Sequence, residues 1–170
     1  MPNLPFYRRV GPGAVASLVA LAPAAASAQT AAGGAVHPIG TEAVALLVSL
    51  GLLLLLPQTY ANAASLTLGV PTMLGNREDF PELTGWKGRA RRAEANLLTN
   101  IVPFGFVVAL LVSFDLSTGL SRLGAGVFVL ARLTHAVVYL LGIPGVRTLA
   151  FYAGLIGTVM TAWPLISSIL

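Results

Sequence analysis

The sequence contains no cysteine and very few charged residues, and each shortage excludes a class of protein. Without cysteine, the chain of 170 residues can form no disulfide bond, no cysteine nucleophile and no thiolate metal site. Charged residues make up only 9% of the sequence, while 56% of its residues are hydrophobic. Soluble domains carry roughly 25% charged residues, so an ordinary soluble protein is excluded. Any thiol chemistry must use a thiol that a ligand brings.

Signals for nucleic-acid, nucleotide or metal binding are also lacking. The net charge of +4 comes from few residues, and basic and aromatic residues do not alternate as they do in a nucleic-acid groove. No glycine-rich loop follows a strand, so nucleotide binding has no support. His37 and His135 lie too far apart in sequence and topology to form a convincing metal pair. We therefore predict no metal site and no nucleic-acid partner.

Four apolar segments are long enough to cross a bilayer. They cover residues 42–60, 92–114, 120–142 and 147–169, and each approaches the roughly 20 residues that a transmembrane helix needs. Backbone groups in lipid must be hydrogen-bonded within their own segment, which favours helices. The pattern predicts an all-α membrane protein in which residues 42–170 form a four-transmembrane-helix bundle.

The N-terminus has the features of an export signal. Arg8 and Arg9 precede the apolar run AVASLVALAPAAASA, and Ala26 and Ala28 match the small residues of a cleavage site. We predict a signal peptide over residues 1–28 and a short exported tail over residues 29–41. The alternative interpretation is an uncleaved or loosely ordered tail.

The loop charges predict the orientation of the bundle. The first connection is strongly basic, with Arg77, Lys87, Arg89, Arg91 and Arg92, and the third ends at Arg147, whereas the second contains only Arg122. Basic loops remain in the cytoplasm, so the first and third loops are expected there. Both termini are then on the outer side of the membrane, which agrees with an exported N-terminus.

Polar residues form stripes on two of the predicted helices. The second helix carries a stripe at spacings of four, three and four: Arg92, Asn96, Thr99 and Pro103. The third helix has a stripe at spacings of three and four: Arg132, His135 and Tyr139. Such spacings place side chains on one helix face. Both stripes lie toward the cytoplasmic ends of their helices, at the level where Arg147 and Tyr152 begin the fourth.

These stripes predict a polar pocket that opens toward the cytoplasm. A charged side chain deep in a bilayer costs about 2.5 to 3.5 kcal/mol on insertion scales, so it should face a partner or a wet cavity. Glu94 is the only carboxylate near the second-helix stripe, which indicates that an anionic ligand completes the site. The alternative for Arg92 and Arg147 is that their side chains simply extend to the lipid headgroups.

Several motifs, in this order, resemble the MAPEG family of membrane-associated proteins in eicosanoid and glutathione metabolism. They are LGNRED, RARRAEANLLTN, RLTHAVVY and GIPGVRTLAFY. The resemblance covers residues 42–170 and is closest to bacterial members, which implies the bacterial inner membrane with both termini in the periplasm. It also implies a homotrimer that binds glutathione, as a co-substrate, between neighbouring subunits near the cytoplasmic face.

The resemblance also implies roles for individual residues. Arg147 matches the arginine proposed to stabilise the glutathione thiolate, which would make it the catalytic residue. The remaining matches are expected to bind glutathione: Arg92, Asn96, Thr99, Arg132, His135, Tyr139 and Tyr152. The chemistry agrees with these residue types, because glutathione has two carboxylates for arginine and a cation near its sulfur favours the thiolate.

Two departures from the family pattern leave the activity open. Thr99 stands where family enzymes commonly carry a glutamate, and residues 57–60 lack the basic residue that many members have near the end of the first helix. The leading hypothesis is a glutathione-dependent transferase or peroxidase that acts on lipophilic electrophiles. The alternative is a non-catalytic family member that binds lipid or a partner protein. A transporter subunit fits less well, because the polar residues cluster at one depth.

Overall fold

The described residues form a bundle of four long helices and one short helix. The computed structural model describes residues 39–76 and 80–170. In chain order, the helices are α1 (Thr41–Leu68), α2 (Val70–Leu74), α3 (Gly85–Ser113), α4 (Gly119–Leu141) and α5 (Pro144–Ser167). The predicted signal peptide, nearly all of the predicted exported tail, and Arg77 of the first loop lie outside these residues.

The four long helices confirm the predicted fold class. Helices α1, α3, α4 and α5 are each long and apolar enough to cross a membrane. Many of their large apolar side chains are exposed in the single chain, as expected for helices whose outer surface contacts lipid or another subunit. The protein is therefore a multi-pass membrane protein.

Two helices extend beyond their predicted ends on the side of the first connection. Helix α3 starts at Gly85, about two turns before Arg92, and α1 continues through Pro57 to Leu68. The 29 residues of α3 span about 43 Å at ~1.5 Å per residue. A bilayer core is only about 30 Å thick, so the basic first turns of α3 can project beyond it. Hydropathy finds the apolar part of such a helix and not its polar extension.

Close packing joins the last two long helices. A Cβ atom at Gly124 would lie 2.8 Å from the Gly157 carbonyl oxygen, and one at Gly157 would lie 2.6 Å from the Phe128 backbone nitrogen. These two glycines therefore let the backbones of α4 and α5 approach closely, a common arrangement in membrane bundles. Between α3 and α4, the rings of Phe104 and Phe128 stack with centroids 3.8 Å apart. This packing fixes α4 between α3 and α5.

A buried carboxylate joins α1 to α4 at the end of the bundle where α1 begins. Glu42 is only 3% exposed, and its Oε1 atom accepts hydrogen bonds of 2.6 Å from the hydroxyls of Ser117 and Ser121. Ser121 also forms the capping box of α4 with Thr118. We call Glu42, Ser117 and Ser121 the Glu42 cluster. Its hydroxyls give the carboxylate two strong, charge-assisted bonds within the chain.

Candidate functional site

Arg132 lies at the centre of the site and joins three helices. Its side chain on α4 is only 1% exposed. The guanidinium donates through Nη1 to Asn96 Oδ1 on α3 at 3.3 Å and through Nη2 to the Phe151 carbonyl on α5 at 3.2 Å. The sequence predicted that Arg132 and Asn96 share a pocket, and the structure brings them into contact.

Aromatic rings and one glycine complete the surroundings of this guanidinium. Its Cζ atom lies 5.3 Å from the centroid of the Phe128 ring and 5.6 Å from that of Phe151, distances typical of cation–π contact. A Cβ atom at Gly154 would lie 2.6 Å from both the Cζ and Nε atoms of Arg132. Real Cβ atoms do not approach other atoms so closely, so the position of Arg132 requires glycine at residue 154.

One donor of Arg132 is left without a partner inside the described part of the chain. The buried Nε atom makes no hydrogen bond there, although Nη1 and Nη2 both donate. A buried unpaired donor is costly. The polar interior around Arg132 is therefore not fully satisfied by the described chain.

The side chain of Asn96 has a direction set by its neighbours. Its Oδ1 atom accepts from Arg132, and its backbone carbonyl accepts from the Asn100 amide at 2.7 Å. A neutral amide has one oxygen acceptor and two N–H donors. With the oxygen turned toward Arg132, the amide N–H groups are directed away from it and are available to an acceptor on a ligand.

A second chain of contacts leads from His135 to Arg147. The rings of His135 and Tyr139 meet edge to face with centroids 5.3 Å apart. The Arg147 Cζ atom lies 4.7 Å from the centroid of the Tyr139 ring, and His135 lies within electrostatic range of both Arg132 and Arg147. We call Asn96, Arg132, His135, Tyr139 and Arg147 the arginine cluster. The structure thus brings together five of the eight residues that the sequence predicted for the site.

The other three predicted residues lie on the outer surface of the single chain. Arg92 and Thr99 are exposed on α3, and Tyr152 is 57% exposed on α5. The Thr99 hydroxyl donates to the Ala95 carbonyl of its own helix at 2.9 Å. The Tyr152 ring makes an edge-to-face contact with the ring of Phe151, its neighbour in the chain. These three side chains therefore do not line a pocket inside the single chain.

The buried or half-buried carboxylates of the bundle are engaged by hydroxyl groups. Glu94 accepts a hydrogen bond of 2.5 Å from the Tyr60 hydroxyl. Glu42 accepts its hydrogen bonds from the serine hydroxyls of the Glu42 cluster. Glu94, the nearest predicted counter-charge, is thus turned toward α1. Neither of these two described carboxylates is hydrogen-bonded to the arginine cluster.

Sequence reasoning missed several residues that shape the site. Gly154, Phe151 and Phe128 lie around the Arg132 guanidinium. The spacing of Gly154 and Gly157 is a sequence signal for close helix packing, but it does not indicate the two phenylalanines. Arg89, interpreted as a loop charge, instead lies on α3 and donates through Nε to the Leu140 carbonyl at 3.0 Å. It thereby binds the carboxyl end of α4, where a cation is favoured.

One cavity of the described chain lies away from the arginine cluster. A cavity of about 480 Å³ opens between α1, α2 and the start of α3, with Tyr60, Phe80, Glu82 and Arg91 among its lining residues. None of the eight predicted site residues is among the described residues that line it. A binding site needs suitable polar groups as well as volume, and the arginine cluster holds the convergent charged and polar side chains. We therefore place the candidate site at the arginine cluster.

Comparison with known proteins identifies the family. The MAPEG family model matches residues 42–167, a range that includes all four long helices from Glu42 onward and the whole arginine cluster. No curated protein matches the chain, and no solved structure matches it. The family match covers well over half of the sequence, and it agrees with the four helices and with the order of the polar motifs. The chain therefore belongs to the MAPEG family, membrane proteins in glutathione and eicosanoid metabolism.

Proposed function

We propose that this protein is a glutathione-dependent membrane enzyme, of transferase or peroxidase type, that acts on lipophilic electrophiles. The observation that carries the proposal is the arginine cluster, in which Arg132 is buried and Arg147 lies over the Tyr139 ring that contacts His135, while the Glu94 carboxylate is held by Tyr60. Excess positive charge at one depth of a membrane bundle favours an anionic ligand. Glutathione, with two carboxylates and an ionisable thiol, fits that requirement.

In this proposal Arg147 is the catalytic residue. It is half-buried at the start of α5, with its guanidinium over the Tyr139 ring. A cation beside the glutathione sulfur stabilises the thiolate, which is the reactive nucleophile. In a transfer reaction the thiolate gives its electron pair to an electrophilic carbon, a C–S bond forms, and the leaving group departs with the former bonding pair. In peroxide reduction the same thiolate attacks one peroxide oxygen, the O–O bond breaks, and the alkoxide takes a proton and leaves as an alcohol. A second glutathione thiol then attacks the sulfur of the resulting sulfenic acid, which gives glutathione disulfide and releases water.

The remaining predicted residues hold the peptide in this proposal. Arg92 pairs with a carboxylate, Asn96 donates from its amide, and His135 and Tyr139 orient the cysteinyl part. Arg92, Thr99 and Tyr152 face outward from the single subunit, which supports a homotrimer whose neighbouring subunits complete the cleft. The bundle then lies in a bacterial inner membrane, with the arginine cluster toward the cytoplasm and both termini in the periplasm.

Calorimetric titration of the purified protein with glutathione tests the proposal. We expect saturable binding and conversion of a lipophilic electrophile, such as 1-chloro-2,4-dinitrobenzene, or of a lipid hydroperoxide. Arg92→Ala should weaken binding about tenfold to a hundredfold, the effect of losing one charge-assisted contact. Arg122→Ala is the matched control. Arg122 is also an exposed arginine, but it lies in the first turn of α4, away from the arginine cluster. Absence of binding in the correctly folded wild-type protein would reject glutathione as the ligand.

A specific observation favours the second candidate, a non-catalytic family member that binds lipid or a partner protein. Thr99 provides no charge for the amino group of glutathione, and its hydroxyl is bonded to Ala95. Substrate assays separate the two candidates. Glutathione binding without turnover of either substrate class, or no glutathione binding together with retention of lipid or protein through purification, supports the non-catalytic member.

A further inference from the structure

We propose that Arg132 is a positioning residue that sets the direction of the Asn96 amide, and that Gly154 provides the space in which Arg132 does so. This inference rests on the proposed function, because it assigns how the glutathione site is held in shape. It also separates Arg132 from Arg92 and Arg147, which the resemblance treats alike as contacts of the ligand.

Burial distinguishes Arg132 from the other arginines of the site. Arg132 is 1% exposed, whereas Arg92 is exposed and Arg147 is half-buried. Its two terminal nitrogens are already used, one by Asn96 and the other by the Phe151 carbonyl. Its Cζ atom lies 5.3 Å from the Phe128 ring centroid and 5.6 Å from that of Phe151. A carboxylate of glutathione would have to displace these groups in order to pair with the terminal nitrogens of Arg132, and only the buried Nε atom is unpaired within the described residues.

The Asn96 amide is the group that can transmit the effect of Arg132. An amide can present either its oxygen or its N–H groups in a given direction, and these have opposite hydrogen-bonding character. Arg132 has only donors, so it holds the Asn96 oxygen inward, and the Asn100 amide donates to the same oxygen at the longer distance of 3.5 Å. The N–H groups of Asn96 are then presented to an acceptor such as a carboxylate or a peptide carbonyl. Without Arg132, the amide could turn and offer its oxygen to an anionic ligand, which would be repelled.

Gly154 makes this arrangement possible. A side chain at residue 154 would overlap the guanidinium, with the new Cβ atom 2.6 Å from Arg132 Cζ. The contact is with the charged end of Arg132, which is held by hydrogen bonds to Asn96 and to the Phe151 carbonyl and lies close to two aromatic rings. Even alanine at residue 154 must therefore move the guanidinium away from α5 and disturb its bond to Asn96. Gly126 is a matched control on α4, since a Cβ atom there would meet no atom within 4 Å.

A double-mutant cycle with glutathione as the probe tests the positioning role. Arg132→Met keeps the length and apolar contacts of the stem but removes the donors, and Asn96→Ala removes the amide. We expect each variant to weaken glutathione binding about tenfold and the double variant to be no weaker than either single one. Arg132→Lys, which retains a donor for Asn96, should recover part of the affinity. Additive losses would mean that Arg132 touches glutathione directly and would overturn the proposal, as would unchanged binding in Arg132→Met.

Gly154→Ala tests the same contact between Arg132 and Asn96 by displacing the guanidinium, without removing a polar group. We expect it to weaken binding to about the level of Arg132→Met, and to have no further effect when the two changes are combined, whereas Gly126→Ala should bind as the wild type does. Full affinity in Gly154→Ala would contradict the role assigned to Gly154. If the wild-type protein binds no glutathione, the proposed function fails. Thermal unfolding of the same variants then tests the arrangement itself, because coupling between Arg132 and Asn96 supports it and additivity removes it.

Discussion

The two buried polar clusters of the bundle differ in how completely the chain satisfies them. In the Glu42 cluster, a carboxylate accepts two hydroxyl bonds of 2.6 Å, and the donors come from the chain itself. In the arginine cluster, the bonds of Arg132 are longer, at 3.2 and 3.3 Å, and its Nε atom is unpaired within the described residues. A satisfied buried polar group stabilises a fold, whereas a buried donor without a partner is costly.

The two clusters also differ in the elements that they join. The Glu42 cluster ties the first turn of α1 to the first turn of α4 and to the preceding loop. The arginine cluster instead joins α3, α4 and α5 near the opposite end of α4. We infer that one end of the bundle is a structural closure and the other end is the functional site. The following predictions test that contrast, beginning with the largest expected effect.

Reporter topology tests which cluster faces the cytoplasm. Reporters inserted at Gly85 and Pro144 should be active in the cytoplasm, and one inserted at Ser117 should be active in the periplasm, because basic residues are concentrated at the start of α3 and around Arg147. The response is all or none at each position. A C-terminal fusion after Leu170 is the internal control and should agree with Ser117. A periplasmic signal at Gly85 would place the arginine cluster on the wrong side for cytoplasmic glutathione.

Removal of the Glu42 carboxylate should have the largest effect on stability. Glu42→Ala leaves two hydroxyl donors without their acceptor, and we expect a loss of about 3 kcal/mol in the free energy of unfolding, measured by denaturation in detergent. Glu42→Gln keeps one acceptor and should lose about half as much. Glutathione binding per folded molecule should not change in either variant. Glu82→Ala, at an exposed position, is the control, and a similar loss there would contradict the structural role of Glu42.

Loss of Arg147 should have the opposite signature. Arg147→Ala should retain most glutathione binding but lower the ionised fraction of bound thiol about tenfold to a hundredfold, since a contact of 1.5 to 3 kcal/mol acts on the thiolate alone. Thiolate absorbance near neutral pH measures this fraction. Arg92→Ala should weaken binding and leave the ionisation of any bound thiol normal. The reverse result would exchange the roles assigned to Arg92 and Arg147.

A gain of affinity is the smallest expected effect. Thr99→Glu restores the carboxylate of the family pattern on the exposed face of α3, and should tighten glutathione binding by about one to two kcal/mol through a charge-assisted bond to the amino group. Thr72→Glu is the matched control, because Thr72 is also exposed and also bonds a carbonyl four residues earlier. Equal effects of both substitutions would indicate a general charge effect in place of a specific contact at residue 99.

The single chain contains only part of the proposed site, and the sequence pattern explains why. Helical spacing predicted Arg132, His135 and Tyr139 on one face of α4, and in the structure Arg132 contacts Asn96 while Tyr139 contacts His135 and Arg147. The same spacing rule grouped Arg92 and Thr99 with Asn96, but these two side chains are exposed. Periodicity identifies a face of a helix, but which part of that face meets a neighbouring helix depends on the angle at which the helices cross.

The sequence by itself determined the number of membrane helices and the spacing of the polar residues along them. Both depend on local properties, namely the length of apolar segments and the regular turn of an α-helix. Their physical cause is the bilayer, which requires every backbone group to be bonded within its own helix and makes a misplaced charge costly. These constraints act along the chain, so they can be read from the order of the residues.

The tertiary structure alone decided which buried charged side chain is fully hydrogen-bonded and which keeps an unpaired donor within the described residues. Glu42 meets serines that lie 75 and 79 residues away in the chain, and the Arg132 guanidinium fits beside α5 because residue 154 has no side chain. Such contacts depend on the distances between helices, to within a few tenths of an ångström, and no periodic pattern encodes them. The serines and Gly154 are ordinary membrane-helix residues in the sequence, and only packing makes the serines the partners of a carboxylate and Gly154 the space for an arginine.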